Sequence, residues 1–181
     1  MTTAEGEAAR WERVGEDRVA YQGFLRVLAR TVRLPDGREA VWDMLDVPPT
    51  VAVLALTPSD QVVMVRQWRV GPERRVLSLP GGLVDEGESI ADAAARELRE
   101  ETGYEADSVE VLVSNAGNSF THPSWAAVAR GCVPTSEQRL DDYEDCEVVL
   151  LDLPALRTEL RSGRLGATAQ TYLALDLLGL L

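Results

Sequence analysis

The sequence contains no lysine; all eighteen of its basic residues are arginine. Any contact to phosphate must therefore come from guanidinium forks, backbone N–H groups or a metal ion rather than from an ammonium point charge. Histidine is nearly absent as well. With His122 alone, neither a histidine-rich zinc cluster nor a serine–histidine relay has the residues it needs. The two cysteines, Cys132 and Cys146, are too few and too far apart for a disulfide framework and read as reduced thiols in or near the core. No apolar run reaches the length of about 18 residues that spans a bilayer. The opening stretch MTTAEGEAARWERVGED lacks an apolar signal core, so a cytoplasmic location without membrane association is expected. Positive charge is in deficit: thirty acidic residues against eighteen basic ones give a formal net charge of −12, which argues against nonspecific binding of nucleic acid or anionic lipid.

What is present suffices for one domain. At 181 residues and 45% hydrophobic, the chain can bury a sizeable core, and it shows no internal repeat. Residues 19–32 alternate between apolar and polar (Tyr21, Phe24, Val27, Val32), and LPDGREA reads as a hairpin turn into residues 41–45. Residues 51–56 and 62–67 are β-branched runs separated by TPSD, and residues 76–79 form a short strand before a glycine loop. Further strands are expected at 109–113, 126–133 and 147–151. One helix opens near Leu153 and Pro154 and runs to about 161. A break at 163–166 precedes a last apolar helix at about 167–178. The expectation is an α/β fold: a mixed sheet flanked by helices, with residues 1–10 a flexible N-terminus, 11–47 a set of N-terminal strands and 48–181 the main domain.

The most informative stretch is GLVDEGESIADAAARELREETGY, residues 82–104. Ser89 is a good N-cap, Asp92 follows in the first turn, a run of alanines and Leu98 favour helix, and Gly103 supplies a left-handed stop. Such a helix sets Glu97 and Glu101 one turn apart on one face, with Glu100 on the flank. Like charges at that spacing repel by a few tenths of a kcal/mol per pair, so the arrangement implies either plain solvation or a shared cation. RELREE by itself reads as a solvated face with an Arg96–Glu100 pair. As a metal site, its oxygen-only donors suit Mg²⁺ or Mn²⁺. Pro80, Gly81 and Gly82 form a tight loop that lets a backbone carbonyl approach the same cation.

The longer pattern decides between these readings. It runs Gly82, five residues, Glu88, seven residues, Arg96, Glu97, Leu98, one residue, Glu100, Glu101, one residue, Gly103, Tyr104. This resembles the Nudix box at every defining position, with Tyr104 where an aliphatic residue is commoner. Nine specified positions over 23 residues make it a strong motif. The resemblance implies a Nudix α/β/α sandwich with a mixed β-sheet and, in this chain, an N-terminal β-hairpin extension. It also implies that Glu97, Glu100 and Glu101 bind divalent metal together with the Gly81 carbonyl, that Arg96 orients the glutamates, and that Glu88 is an auxiliary acid. The implied reaction is hydrolysis of a nucleoside diphosphate linked to another moiety, by metal-activated water.

VMVRQWRV, LSLPGGLVDEGE and the ending LLDLPALRTELRSGRLGATAQTYLAL resemble the ADP-ribose and ADP-sugar pyrophosphatase branch, whose N-terminal strands exchange across a homodimer. The outline fits from about residue 11 to residue 175. In that branch the arginine matching Arg69 contacts substrate phosphate or ribose. An aromatic at the position of Trp42, from the partner subunit, stacks on the adenine, and Phe24 would form the opposite wall. The position aligned with the branch's loop general base is Glu144, in the acidic segment LDDYEDCEVV. Two positions depart from the branch: Gly81 stands where alanine is common, and Ala116 and Gly117 replace a proline context. The loop NSFTHPSW should face the distal moiety of the substrate, with His122 touching it. Three readings follow: hydrolysis of nucleoside diphosphate sugars such as ADP-ribose; Nudix hydrolysis of a nucleoside triphosphate, GDP-mannose or dinucleoside polyphosphate; or a Nudix-fold ligand sensor without turnover.

Overall fold

The computed structural model describes residues 10–181, so the expected flexible N-terminus lies outside the described residues except for Arg10. The chain divides into two compact units, one comprising residues up to 47 with 117–122, the other residues 48–116 with 123–181.

The first unit is an antiparallel sheet of β1 (Glu12–Arg13), β2 (Arg18–Gln22), β3 (Arg26–Arg33) and β4 (Glu39–Asp46). β4 pairs along the whole of β3, which leaves the other edge of β3 to β1 and β2. The alternating run 19–32 is therefore two strands rather than one. The chain turns at Gly23, whose N–H donates to the Leu25 carbonyl at 3.0 Å, and Phe24 stands fully exposed at the bend. Asp17 pins the sheet by accepting from Arg30 Nε at 3.0 Å and Nη2 at 2.7 Å. The segment 117–122 is held to β4 through Leu45, whose N–H donates to Ser119 and whose carbonyl accepts from Thr121 N–H.

The second unit contains β5 (Thr50–Leu56), β6 (Val62–Arg69), β7 (Arg74–Ser78), β8 (Gly81–Leu83), α1 (Ile90–Thr102), β9 (Tyr104–Glu105), β10 (Ser108–Asn115), β11 (Ser124–Arg130), β12 (Val133–Pro134), β13 (Glu147–Leu151), α2 (Leu153–Arg161) and α3 (Thr168–Leu177). The main sheet runs β10-β11-β5-β6-β13, with β8 on β5 and β7 on β6; β5 and β11 are parallel and the other pairs antiparallel, so the sheet is mixed. β5 explains the layering. Its run VAVLAL lacks polar alternation because both faces are covered. Ala52, Leu54 and Leu56 pack with Leu156 and Leu175 of α2 and α3, whereas Val51, Val53 and Ala55 pack with Ala93, Ala94 and Leu98 of α1. This is an α/β/α sandwich. No helix among the described residues is long and apolar enough to cross a membrane.

The ends of α1 follow the local chemistry of the sequence. Ser89 Oγ accepts from Asp92 N–H at 3.1 Å, and Gly103 closes the helix at φ +74° with its N–H on the Arg99 carbonyl. A Cβ at Gly103 would land on the Ser136 carbonyl oxygen, whereas Gly163, at a similar φ of +69°, faces open space. In urea unfolding we expect Gly163→Ala to lose about 1 kcal/mol for the left-handed backbone, and Gly103→Ala at least about twice that. Equal losses would show that the Ser136 carbonyl does not constrain the helix end.

Candidate active site

Arg96 is the hub of the acidic helix. Its Nε and Nη2 each donate to the Glu88 carboxylate at 2.9 Å, Nη1 donates to Glu97 Oε1 at 2.9 Å and to Glu100 Oε2 at 3.2 Å, and Nη2 also reaches the Leu83 carbonyl at 2.9 Å. The paired bonds to Glu88 form a fork that a lysine could not reproduce. They hold the Glu88 carboxyl below its usual range and raise the guanidinium further above its own.

Glu101 projects from the buried side of α1 and is 2% exposed. Its Oε2 accepts the Gly81 N–H at 2.8 Å, and the Cys146 thiol donates to Oε1 at 3.5 Å. Burial pushes its pKa up to about 7; the Gly81 bond opposes this, while the charges of Glu97 and Glu144 add to it. Glu97 is raised too, chiefly by burial, against the pull of Arg96. Glu97 and Glu101 thus meet where solvent is scarce, and the charge of Glu144 bears on both. The two glycines before the helix make the convergence possible. They belong to β8, paired on Val51 and Ala52, so the expected glycine loop is a sheet edge. Gly81 has φ +148°, and a Cβ there would strike the Val51 carbonyl; a Cβ at Gly82 would come within 2.5 Å of Glu97 Oε1. Alanine, common in the resembling branch at position 81, does not fit here.

Glu144 stands in the turn before β13. Its N–H donates to the Asp141 carbonyl at 3.0 Å, and its Oε2 accepts Asp141 N–H at 3.1 Å. The β6–β13 pairing ends at Arg66 opposite Glu147; Arg69 closes β6 beyond that point, near enough for its charge to act on the Cys146 thiol that meets Glu101. The second unit therefore brings together Gly81, Arg96, Glu97, Glu100, Glu101, Glu144 and Arg69.

The other sequence candidates lie in the first unit. Trp42 on β4 is half exposed and meets Trp11 edge-on, ring centroids 6.1 Å apart. Phe24 is six residues before Arg30, the strand partner of Trp42, so the two aromatics are roughly 20 Å apart along the sheet. One copy of the chain cannot sandwich a base between them. His122 Nδ1 is tied to the Val47 carbonyl at 2.9 Å and to Thr121 Oγ1 at 3.0 Å. Composition also gave no sign of Cys146 and Gln138 as supports. Gln138 Nε2 donates to the carbonyls of both Glu101 and Cys146. Only the β13 register, with Cys146 one step before the strand, could have pointed to them.

Among the described residues no three acidic, histidine or cysteine side chains are already gathered as a metal cage. Arg96 holds one oxygen of Glu97 and one of Glu100.

The raised pKa of Glu101 fixes a sign. A carboxyl whose folded pKa exceeds its unfolded one binds more protons folded, so its contribution to stability falls as pH rises from about 4.5 to about 7 and is flat above. In EDTA, we expect the metal-free protein to lose up to roughly 3 kcal/mol between pH 5 and pH 8 through this group, and Glu101→Gln to remove that loss. Identical pH slopes for the two proteins in urea titrations would refute the burial of this charge.

Comparison with known proteins places the fold and the motif together. The NUDIX domain model matches residues 46–169. The chain is 39% identical over 95 residues to the methanol dehydrogenase activator of Bacillus methanolicus, covering 52% of this chain and 49% of that one. It is 36% identical over 113 residues to the ADP-ribose pyrophosphatase of Bacillus subtilis (strain 168), covering 62% and 59%. It thus spans between about half and three fifths of these relatives' length. A crystal structure of an ADP compounds hydrolase shares the fold with a TM-score of 0.74 at 21% identity, over 94% of this chain and 97% of that one. With the box residues assembled on β8 and α1 and the domain match running across both, the chain belongs to the Nudix family.

Proposed function

We propose that this protein is a divalent-metal-dependent hydrolase that cleaves the diphosphate linkage of a nucleoside diphosphate sugar of the ADP-ribose type. The observation that carries this reading is the buried Glu101 carboxylate, set against the charges of Glu97 and Glu144 in a niche kept open by Gly82. Hydrolases of this family in general need a divalent metal, and these residues fit one. The donors are all oxygen, the repulsion among them is what a cation relieves, and Glu97 Oε2 and Glu100 Oε1 are not engaged by Arg96. Glu97, Glu100, Glu101 and the Gly81 carbonyl would hold Mg²⁺ or Mn²⁺. When bound, the cation supplies Lewis acidity and a water of lowered pKa.

The chain's own residues supply the rest. Arg96, forked on Glu88, fixes the rotamers of Glu97 and Glu100. Glu144 is the general base, accepting the proton of the attacking water at the oxygen not bonded to Asp141. Arg69 holds the diphosphate through its guanidinium. Trp42 of the partner subunit stacks on the base with Phe24 as the opposite wall, and His122 meets the distal moiety. A homodimer follows from the exposed Trp11, Tyr21, Phe24, Val41 and Trp42 of the first unit, a set of apolar surfaces that supports an interface. Turnover is favoured over ligand sensing because a binder has no use for a repulsive carboxylate cluster. The names of the related ADP-ribose pyrophosphatases support the substrate class.

With ADP-ribose and Mg²⁺, Glu97→Gln and Glu101→Gln should lower kcat at least about a hundredfold while the protein stays folded. Trp42→Ala should chiefly raise KM, by about fivefold or more, since stacking of ~1 to 3 kcal/mol is made equally in ground and transition states. An unchanged KM would remove Trp42 from the base site, and near-wild-type kcat in either glutamine variant would remove the metal assignment. Light scattering should report a dimer; a fully active monomer would contradict it.

A further inference from the structure

Gln67, on β6, is 6% exposed, and its amide oxygen Oε1 is a buried side-chain atom with no hydrogen-bond partner among the described residues. An orphan buried acceptor costs roughly 1 to 3 kcal/mol, so a donor should reach it in the working protein. The face it occupies follows from the strand pattern. Val63 belongs to the core under α1, and Val148, the partner of Val65, packs against the same core. Alternation then carries Val65 and Gln67 along that face. Arg66 pairs with Glu147, so the next step of the register sets Gln67 opposite Cys146, whose thiol donates to Glu101. One step further, Trp68 N–H donates to the Asp145 carboxylate at 2.9 Å, which holds this segment beside β6. Gln67 therefore lies on the face of the sheet that meets Glu101.

The donors that surround Glu101 are already committed. The Cys146 thiol is on Glu101, Gln138 Nε2 serves the Glu101 and Cys146 carbonyls, and Gly81 N–H is on Glu101 Oε2. With a cation bound, Glu97 and Glu101 are ionised and can only accept. With Arg69 assigned to the diphosphate in the reading above, a donor for Oε1 can arrive with whatever binds the carboxylates. A hydrated divalent cation brings such donors, because it keeps several waters whose hydrogens point outward.

We propose that Gln67 is an outer-sphere ligand of the cation, its Oε1 accepting a hydrogen bond from a metal-bound water at the Glu97–Glu101 site. This rests on the metal reading above. Gln67 is then a positioning residue: it touches the cation's water and orients it from the sheet side, opposite Arg96 on the helix.

The test uses Mn²⁺ as the probe, with free Mn²⁺ followed by electron paramagnetic resonance on the full chain, and the Tm of the EDTA-treated protein as the second readout. Gln67→Met keeps the length and removes the acceptor. Mn²⁺ affinity should fall about tenfold or more, the size of an outer-shell loss, while the metal-free Tm stays level or rises because an unsatisfied polar group has gone. Gln67→Glu keeps an acceptor and should bind Mn²⁺ at least as tightly as wild type. Affinity of Gln67→Met within twofold of wild type overturns the proposal. A lowered metal-free Tm, or failure of that variant to fold, also overturns it, since Oε1 would then be satisfied inside the fold. Failure of the metal reading itself looks different: wild type would not take up Mn²⁺, or Glu101→Gln would bind it as well as wild type.

Discussion

Like charges held close together in a place with little water are the constraint around which this molecule is arranged. Glu101 is almost wholly buried, and Glu97 and Glu144 add their fields to it. Nothing in the folding of an α/β sandwich calls for such a cluster, and each buried carboxylate opposes folding unless it finds donors or stays protonated. The surrounding structure reads as a set of responses. Gly81 offers its N–H, Cys146 its thiol, and Gln138 fixes the backbone at the end of the helix. These groups reduce the burden on the fold without neutralising the charge, which keeps the cluster available to a cation.

Arg96 handles the outer half of the same problem. Its fork onto Glu88 fills one side of the guanidinium, and Nη1 divides its attention between Glu97 and Glu100. A lysine could not serve three carboxylates and a carbonyl in one plane. The complete absence of lysine from the chain is thus consistent with its local needs here, although the single site does not account for all eighteen arginines.

Much of this was legible in the sequence, for identifiable reasons. The cap at Ser89, the stop at Gly103 and the one-turn spacing of Glu97 and Glu101 are local properties of a helix, and the structure has them where the residues predict. The β-branched run at residues 51–56 was legible as a strand, whereas the cover on both its faces came from the structure. Long-range pairing was not legible. Gly81 and Gly82 read as a loop because glycine signals a turn, yet they form β8, where the backbone of Val51 and Ala52 leaves no room for a Cβ at Gly81 and the Glu97 carboxylate leaves none at Gly82. The break at Gly23 was hidden by a hydrophobic alternation that continues across it. Gln138 and Cys146 stand far from Glu101 and Gln67 in the chain, and only the tertiary pairing brings their roles into view.

The pairing of β8 on β5 also bears on the energetics of occupancy. Gly81 and Gly82 are fixed by the same strand that divides the two cores, so the backbone next to the carboxylates is ordered as soon as the sheet forms. A ligand arriving there has no loop to organise and forfeits little chain entropy on binding. Its interaction energy is free to appear as protection of the native state against unfolding, in proportion to the logarithm of its concentration. Occupancy and folding stability are in this sense two readings of one quantity, joined through a pair of residues without side chains.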